Sequence, residues 1–548
     1  MNKTDFAWML GAILLVHATG LLVEVFAGDS ALYALLSEQI ARTGNYADLY
    51  LYGEDWLDKP HFPFWVSGFA MQLLGANAFA YKLPSFLLFV VGLFYTYKLA
   101  QKLYDTNTAR WAVVILGASL HLIISNNDVR AEAMLLGLIM GAVYHLYRLI
   151  NVFSLKHLLL AALFSAAAVM TKGIFVLIIL YSAIGGYLLL KKDFRTIFHW
   201  KWVLTLALTA VFVLPEIWVL YTQFDSQMHK TVFGRTQVSG IRFFLWDSQI
   251  GRFFNTGPIK GKGDPLFFLH TMFWAMAPWA IAAYYVLADR VLKRNSAWAG
   301  AEWLTVFGFV VMFVVFSASG FQLPHYTNIL FPFLAILTAA WWTKFAIVRQ
   351  SARRVFTISI WVYSVLYVVV IALLEYFFMP GVSVYGIVCA AMILLVLIFR
   401  HQLSATNRTI WIGVLTTLAF CLYLNLEFYP RLLQYQSGMQ VAKYMKTLPE
   451  DTKKVSLLDD YLLQFYSRGE FEYIRDAELV SDDEQLFIFA GEEHLETLRN
   501  SNANFEILRY FPNFHITRLN AGFINHRSRE QTLNKHYLIK LHGSQENK

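Results

Sequence analysis

The sequence contains little cysteine and few charged residues. Only two of its 548 residues are cysteine, Cys389 and Cys421, and both lie inside apolar segments. Neither a disulfide framework nor a cysteine-based zinc site is therefore predicted. Charged residues make up 15% of the chain, whereas a soluble domain contains about 25%. This scarcity argues against a soluble enzyme, a nucleic-acid-binding domain and an intrinsically disordered chain.

Apolar residues are present in excess: 57% of the chain is hydrophobic and 17% is aromatic. A helix that crosses a bilayer needs roughly 20 mainly apolar residues. About thirteen segments approach this length, and they predict an α-helical polytopic membrane protein. The predicted spans are 6–27, 80–100, 110–126, 131–150, 157–171, 174–190, 202–221, 266–289, 302–318, 327–346, 355–378, 383–399 and 409–427.

The positions of lysine and arginine predict the orientation. The connections on one side of the predicted helices are short and basic, as in 102–110, 148–156 and 191–201. Cytoplasmic loops of membrane proteins carry an excess of lysine and arginine. The N-terminus is therefore predicted to be cytoplasmic, and the odd number of spans places everything after residue 428 outside. Much of the net charge of +8 belongs to these cytoplasmic loops.

Two domains are predicted. Residues 1–428 form a transmembrane domain with two long outer loops, 28–79 and 222–265. Residues 429–548 are much more polar and form a small soluble α/β domain. Its predicted strands are 455–458, 485–489, 505–508 and 537–541, and its predicted helices are 439–447 and 492–500.

Ionisable residues collect at the predicted outer ends of the helices, where they usually serve a site. Each has an ordinary explanation when taken alone: Glu132 as an acid at a helix start, Lys59 as an interfacial lysine. Together, two carboxylates and several cations share one face beneath an aromatic segment. Cations can hold a phosphate and neutralise the charge that develops when it leaves. A carboxylate can accept the proton of an attacking hydroxyl.

The order and spacing of several motifs then identify a family resemblance over roughly residues 5–345. The motifs are Asp29 with Tyr33, Lys59-Pro60 with Trp65, Arg130-Ala131-Glu132, Thr171-Lys172-Gly173, Pro278-Trp279 and Leu323-Pro324-His325-Tyr326. The chain resembles the integral-membrane glycosyltransferases of the GT-C fold that use polyprenyl-phosphate-linked sugars. Its closest likeness is to the aminoarabinose lipid A transferases and the protein O-mannosyltransferases.

The resemblance implies roles for individual residues. It implies that Asp29 and Glu132 are catalytic and that Lys59, Arg252, Tyr326 and His325 bind the carrier phosphate. Further candidates for substrate binding are Tyr33, Trp56, His61, Arg130 and Lys172. Departures from the family pattern at Ser30, Leu32, His61 and Gln322 leave the sugar and the acceptor open.

The implied reaction is an inverting transfer from an undecaprenyl phosphate carrier to a lipid, glycan or protein, with lipid A as the leading acceptor. The implied location is the bacterial inner membrane, with a periplasmic C-terminal domain. The expected partners are the lipid-linked donor, the acceptor and the bilayer, without nucleic acid. No cofactor and no metal ligand are predicted, and a requirement for a divalent metal is left open.

Two other classes of function remain as alternatives. A secondary transporter would place ionisable residues near the membrane midplane and would often show inverted repeats. Here the charged residues gather at the predicted outer rim, and the two halves of the chain look dissimilar. A non-catalytic envelope scaffold would need neither the rim acids nor Lys59.

Overall fold

This computed structural model describes residues 1–256, 260–292, 302–345, 350–379, 381, 383–399, 408–448, 453–475, 486–501 and 503–542. Its larger part is a helical bundle. The α-helices of the bundle are Lys3–Thr19, Asp29–Thr43, Phe62–Leu74, Ala78–Leu103, Thr106–Gly117, Leu120–Asn127, Ala131–Asn151, Leu155–Lys172, Val176–Leu190, Phe194–Ile197, Lys201–Leu220, Gly240–Arg242, Phe267–Ala275, Ala280–Leu292, Leu304–Ala318, Phe331–Ala340, Gln350–Phe377, Val384–Ile398, Arg408–Tyr423 and Tyr429–Leu432.

Several of these helices continue into tighter or wider turns. The 3₁₀ segments of the bundle are Gly20–Leu22, Pro324–Leu330 and Leu433–Tyr435, and the π segments are Tyr221–Asp225, Phe243–Gly251, Trp341–Phe345 and Leu424–Phe428. The only strands outside the C-terminal domain, among the described residues, form a short antiparallel hairpin of Tyr50–Leu51 and Glu54–Asp55.

By length and composition, seven of the described helices can cross a membrane, or eight if one bent pair counts as a single span. Shorter apolar helices, such as Val176–Leu190 and Leu304–Ala318, lie between them. The predicted polytopic class is confirmed. The number of thirteen spans stays a prediction, because several apolar segments fold as helices shorter than the usual spanning length.

Two predicted spans are interrupted, and the interruptions pack against each other. The segment 110–126 bends by 53° between two helices, and the segment 266–289 breaks at Pro278. The backbone N–H of Leu120 donates to the carbonyl of Ala277 at 3.0 Å, and the indole N–H of Trp279 donates to the carbonyl of Ala118 at 3.2 Å. The breaks are tolerated because each supplies partners for backbone groups that the other leaves free.

The C-terminal domain contains a five-stranded mixed sheet, of which four strands were predicted. In sheet order its strands are Glu472–Tyr473, Lys453–Ser456, Leu486–Gly491, Asn534–Leu541 and Phe505–Asn513. The first two pairings are parallel and the last two antiparallel. The α-helices are Ser437–Met445, Tyr461–Ser467, Glu492–Asn500 and Ala521–Ile524, with 3₁₀ turns at Ile516–Arg518 and Arg529–Thr532. The two-residue edge strand was not predicted, because so short a segment has no readable alternation.

The C-terminal domain is fastened to the chain segment that leads to Asp29. The first helix ends at Leu22, earlier than predicted, and an irregular segment follows. The amide N–H of Gln436 donates to the carbonyl of Val25 at 3.0 Å, and its oxygen accepts from the N–H of Ala27 at 2.6 Å. The Tyr466 hydroxyl accepts from the N–H of Val25 at 2.9 Å. The last bundle helix runs on to Tyr435, so this contact begins directly at its end.

Candidate functional site

Asp29 stands at the start of a helix on the face that contacts the C-terminal domain. It is the first residue of Asp29–Thr43 and follows Gly28, whose φ of +83° suits a residue without a side chain. The Asp29 carboxylate forms an ion pair with the guanidinium of Arg130, which also donates to Asp128 at 2.9 Å. The Asp29 side chain remains 51% exposed. The carboxylate is therefore held in position and still accessible to a substrate.

Glu132 lies in the first turn of Ala131–Asn151 and is buried. One of its oxygens forms an ion pair with Lys172, the last residue of Leu155–Lys172. The other oxygen, Oε2, lies 3.7 Å from Nε2 of His325 and accepts no hydrogen bond from the part of the chain that the structure describes. A buried carboxylate oxygen without a donor is costly. It is thus suited to receive a hydrogen bond from a bound substrate.

Lys59 and Arg252 meet at the carboxylate of Asp58. One oxygen of Asp58 contacts the Lys59 ammonium, and the other contacts the Arg252 guanidinium. Burial alone would raise the pKa of Asp58, but attraction to Lys59 and Arg252 outweighs burial, so this pKa lies below its ordinary value. Burial lowers the pKa of Lys59, and Asp58 offsets only part of that effect. Asp58 was not predicted as a site residue, although its position beside Lys59 was the available signal.

Asp58, Lys59 and Arg252 line one cavity of about 100 Å³, which Asp29 and Glu132 do not line. Three cations reach it, Lys59, Lys172 and Arg252, and the ammonium of Lys172 lies 4.4 Å from the centre of the Tyr326 ring. The Nε atom of Arg252 is buried and has no acceptor among the described residues. The rest of the wall is mainly apolar and includes Phe175, Phe253, Met312, Val315, Phe316 and Phe321. The cavity therefore combines a site for an anion with a surface for a hydrocarbon chain.

Tyr33 lines a small separate pocket together with Arg130, the partner of Asp29. Its ring is buried and packs edge-on against Phe64, with 5.4 Å between the ring centres. Burial raises the pKa of the Tyr33 hydroxyl well above its ordinary value, and the charges of Asp29 and Asp58 raise it further. The hydroxyl accordingly stays protonated and can donate a hydrogen bond.

Seven of the eleven predicted site residues lie off the cavity wall: Asp29, Glu132, Tyr33 and Arg130, described above, and His325, Trp56 and His61. His325 contacts Glu132, so the structure places it with the carboxylate and not beside Lys59. The Trp56 ring packs edge-on against Phe64, 5.5 Å from centre to centre. His61 is buried, and its Nδ1 and backbone N–H both bond to Glu216, at 3.0 to 3.3 Å.

Glu216 is a structural member of the site that the sequence analysis did not single out. It is fully buried in Lys201–Leu220 and anchors the segment that follows Lys59-Pro60. An acid inside the apolar segment 202–221 was the signal that could have identified it, because such residues are expensive in a membrane. No group of three or more His, Cys, Asp or Glu residues suited to a metal ion occurs within the described ranges.

Comparison with known proteins finds a matching family and a curated relative. Residues 58–219 match the family described as dolichyl-phosphate-mannose-protein mannosyltransferase. A curated relative is the undecaprenyl phosphate-alpha-4-amino-4-deoxy-L-arabinose arabinosyl transferase 1 of Pseudomonas fluorescens (strain Pf0-1). It is 25% identical over 308 residues, which are 54% of this chain and 50% of the relative. The chain thus spans about half the length of this curated relative.

Solved structures extend the likeness to the whole fold. The crystal structure of ArnT from Cupriavidus metallidurans bound to undecaprenyl phosphate has a TM-score of 0.76, with 14% identity and 98% of both chains covered. The same protein in the apo state has a TM-score of 0.74, with 14% identity and 97% of both chains covered.

Sequence and fold therefore agree on the class. The chain has the GT-C fold, and the resemblance inferred from its motifs is confirmed. The matched family is described as a mannosyltransferase and the curated relative as an arabinosyl transferase.

Proposed function

We propose that this protein transfers a sugar from undecaprenyl phosphate to an envelope acceptor such as lipid A, at the periplasmic face of a bacterial inner membrane. The convergence of Lys59, Lys172 and Arg252 on one cavity with an apolar wall carries the proposal. Largely buried cations with an unused donor on Arg252 suit the phosphate. The aromatic and aliphatic wall suits the first isoprene units of the carrier.

The chemistry follows from the placement of the charges. An acceptor hydroxyl attacks the anomeric carbon of the donor and passes its proton to Asp29, which is half-exposed and held by Arg130. The new bond joins the acceptor oxygen to the anomeric carbon. The bond from that carbon to the phosphate oxygen breaks, and its electron pair stays on the phosphate beside Lys59 and Arg252. A single displacement of this kind inverts the anomeric configuration.

Glu132 has a different part in this scheme. Lys172 occupies one of its oxygens, while Oε2 accepts no hydrogen bond from the described residues. We assign Oε2 to a hydroxyl or amino group of the donor sugar or the acceptor. Such a bond orients the reacting groups, and orientation is a large part of catalysis in a two-substrate reaction.

Binding of the carrier can be tested without knowledge of the sugar. Purified protein in phospholipid nanodiscs is expected to bind undecaprenyl phosphate, and Lys59→Ala and Arg252→Ala are expected to lose most of that binding. Lys230→Ala is the matched control, because Lys230 pairs with Asp55 at 3.0 Å and does not line the cavity. Native binding by both cavity variants would refute the assignment of the phosphate site.

The acceptor is tested in cells. Mass spectrometry of envelope lipids, glycans and proteins from a deletion strain is expected to show the loss of one defined sugar from a lipid. The match of residues 58–219 to a protein mannosyltransferase family favours a protein acceptor as the second candidate. Loss of the sugar from a protein alone would select that candidate.

The transporter alternative is tested in the same preparation. Lys59 lies in a loop, and Glu132 and Lys172 lie at helix ends, unlike charges placed in the middle of a spanning helix. Uptake of labelled sugar into proteoliposomes without formation of a glycosylated product would support transport and contradict the proposal.

A further inference from the structure

We propose that Asp58 adjusts the charge of the phosphate site to that of the sugar-linked donor and thereby promotes release of the used carrier. This inference rests on the proposed function and extends it to a residue that does not itself take part in the transfer. Asp58 is a positioning residue in this scheme, because it acts through the two cations that hold the phosphate.

Asp58 contacts both cations directly. Its two oxygens contact different residues, one the Lys59 ammonium and the other the Arg252 guanidinium. The side chains of Asp58, Lys59 and Arg252 are 22%, 16% and 13% exposed, so little water screens the three charges. An arriving phosphate must therefore share the cations with a carboxylate that already bridges them.

The local charge balance points to discrimination between donor and product. Three cations line the cavity, Lys59, Lys172 and Arg252, while Asp58 pairs with two of them and Glu132 pairs with Lys172. With three positive and two negative groups, the site has a net charge of +1. A sugar-linked carrier phosphate is a diester with a charge of −1, which this balance neutralises.

The product has a different charge. After transfer the carrier is a phosphate monoester, which carries about −1.5 to −2 charges near neutral pH. A site with a charge of +2 would retain that product strongly. Because Asp58 keeps the net charge of the site at +1, no unpaired cation remains to neutralise the second negative charge of the monoester. Attraction of Lys59 and Arg252 back to Asp58 then favours departure of the carrier.

The test compares two probes in nanodiscs at pH 8: undecaprenyl phosphate, and its methyl diester as a sugar-free mimic of the donor charge. Asp58→Asn is expected to bind the monoester about tenfold more tightly, because it leaves Lys59 and Arg252 without the carboxylate that they share. Binding of the diester should change less. In turnover, product inhibition should strengthen and kcat should fall without a rise in the KM for the donor.

Three controls separate charge adjustment from a merely structural role. Asp58→Glu keeps the charge and should keep the native ratio of the two affinities. Asp55→Asn removes another ion-paired carboxylate of the same loop, away from the cavity, and should also leave the ratio unchanged. Asp58→Ala removes the same charge and should shift the ratio in the same direction as Asp58→Asn, so that either variant can test the proposal if the other does not fold.

The outcomes are distinct. A ratio that does not shift toward the monoester in a folded Asp58→Asn or Asp58→Ala variant would overturn the role of Asp58. If the native protein binds neither probe, the proposed function itself fails. If the native protein binds both probes and Asp58→Asn leaves the ratio of the two affinities unshifted, only the inference about Asp58 fails.

Discussion

The guanidinium of Arg130 forms an ion pair with the carboxylate of Asp29, although 101 residues separate them in the chain. Arg130 is largely buried, whereas Asp29 is half-exposed. The same guanidinium holds Asp128 at 2.9 Å, which fixes its own orientation. Arg130 therefore presents the Asp29 carboxylate at the surface of the site in a defined position, as a base acting on an acceptor hydroxyl requires.

Asp29→Asn is expected to reduce turnover by a factor of about 10² to 10⁴, because the amide cannot accept the proton of the acceptor. Binding of undecaprenyl phosphate should be unchanged, since the carboxylate contacts Arg130 and not the cavity cations. Single-turnover rates and carrier affinity measured on the same preparation check both statements. A variant with native turnover would exclude Asp29 as the base.

Lys172→Met is expected to destabilise the protein by about 3–5 kcal/mol, because it leaves the buried Glu132 carboxylate without its charge partner. The double variant Glu132→Gln/Lys172→Met should recover part of this stability but no activity. Denaturant unfolding in detergent micelles measures the free energy of unfolding. Equal stability of the single variant and the native protein would show that the pair is not a structural unit.

The carrier affinity is expected to decrease at high pH. Burial lowers the pKa of Lys59, so its ammonium loses the proton at a lower pH than an exposed lysine, for which the pKa is about 10.4. Binding of undecaprenyl phosphate should therefore be strong while Lys59 is charged and should weaken as pH rises through this lowered pKa. Lys59→Arg stays charged and should move the loss of binding to higher pH. An identical pH profile for both proteins would contradict this account.

Gln436→Ala tests how the C-terminal domain supports the site. The substitution removes two hydrogen bonds to the backbone of Val25 and Ala27 and should cost about 1–3 kcal/mol for each buried group left unsatisfied. Because these bonds hold the segment before Asp29, kcat should fall while the carrier affinity remains native. The exposed Gln434 offers a control, and Gln434→Ala should change neither quantity. A fall in carrier affinity alone would contradict this coupling.

Much of the fold was predictable because hydrophobic length and turn signals are local. The apolar segments indicated a polytopic helical protein, and four of the five strands of the C-terminal sheet were recognised. The breaks near Ala118 and Pro278 were not, since they depend on backbone hydrogen bonds between segments far apart in the chain. The number of spans stays a prediction, because apolar composition does not distinguish a span from a short buried helix.

The candidate site, like the fold, was predictable from the sequence only in part. The structure brings Lys59, Lys172, Arg252 and Tyr326 to one cavity, as their common position at the predicted outer rim suggested. Asp58 and Glu216 were overlooked, although the position of Asp58 beside Lys59 and that of Glu216 inside an apolar segment were available signals. Arg252 and Lys59 are 193 residues apart, and no spacing rule connects them through Asp58.

The sequence by itself determined the class of environment and the chemical inventory. Its composition requires a membrane, and its motifs supply two acids and several cations beside aromatic residues. The tertiary structure alone decided which charges meet: Asp29 with Arg130, Glu132 with Lys172, and Asp58 with both Lys59 and Arg252. The physical reason is that hydrophobic burial is encoded residue by residue, whereas the pairing of buried charges depends on distances that exist only after the helices have packed.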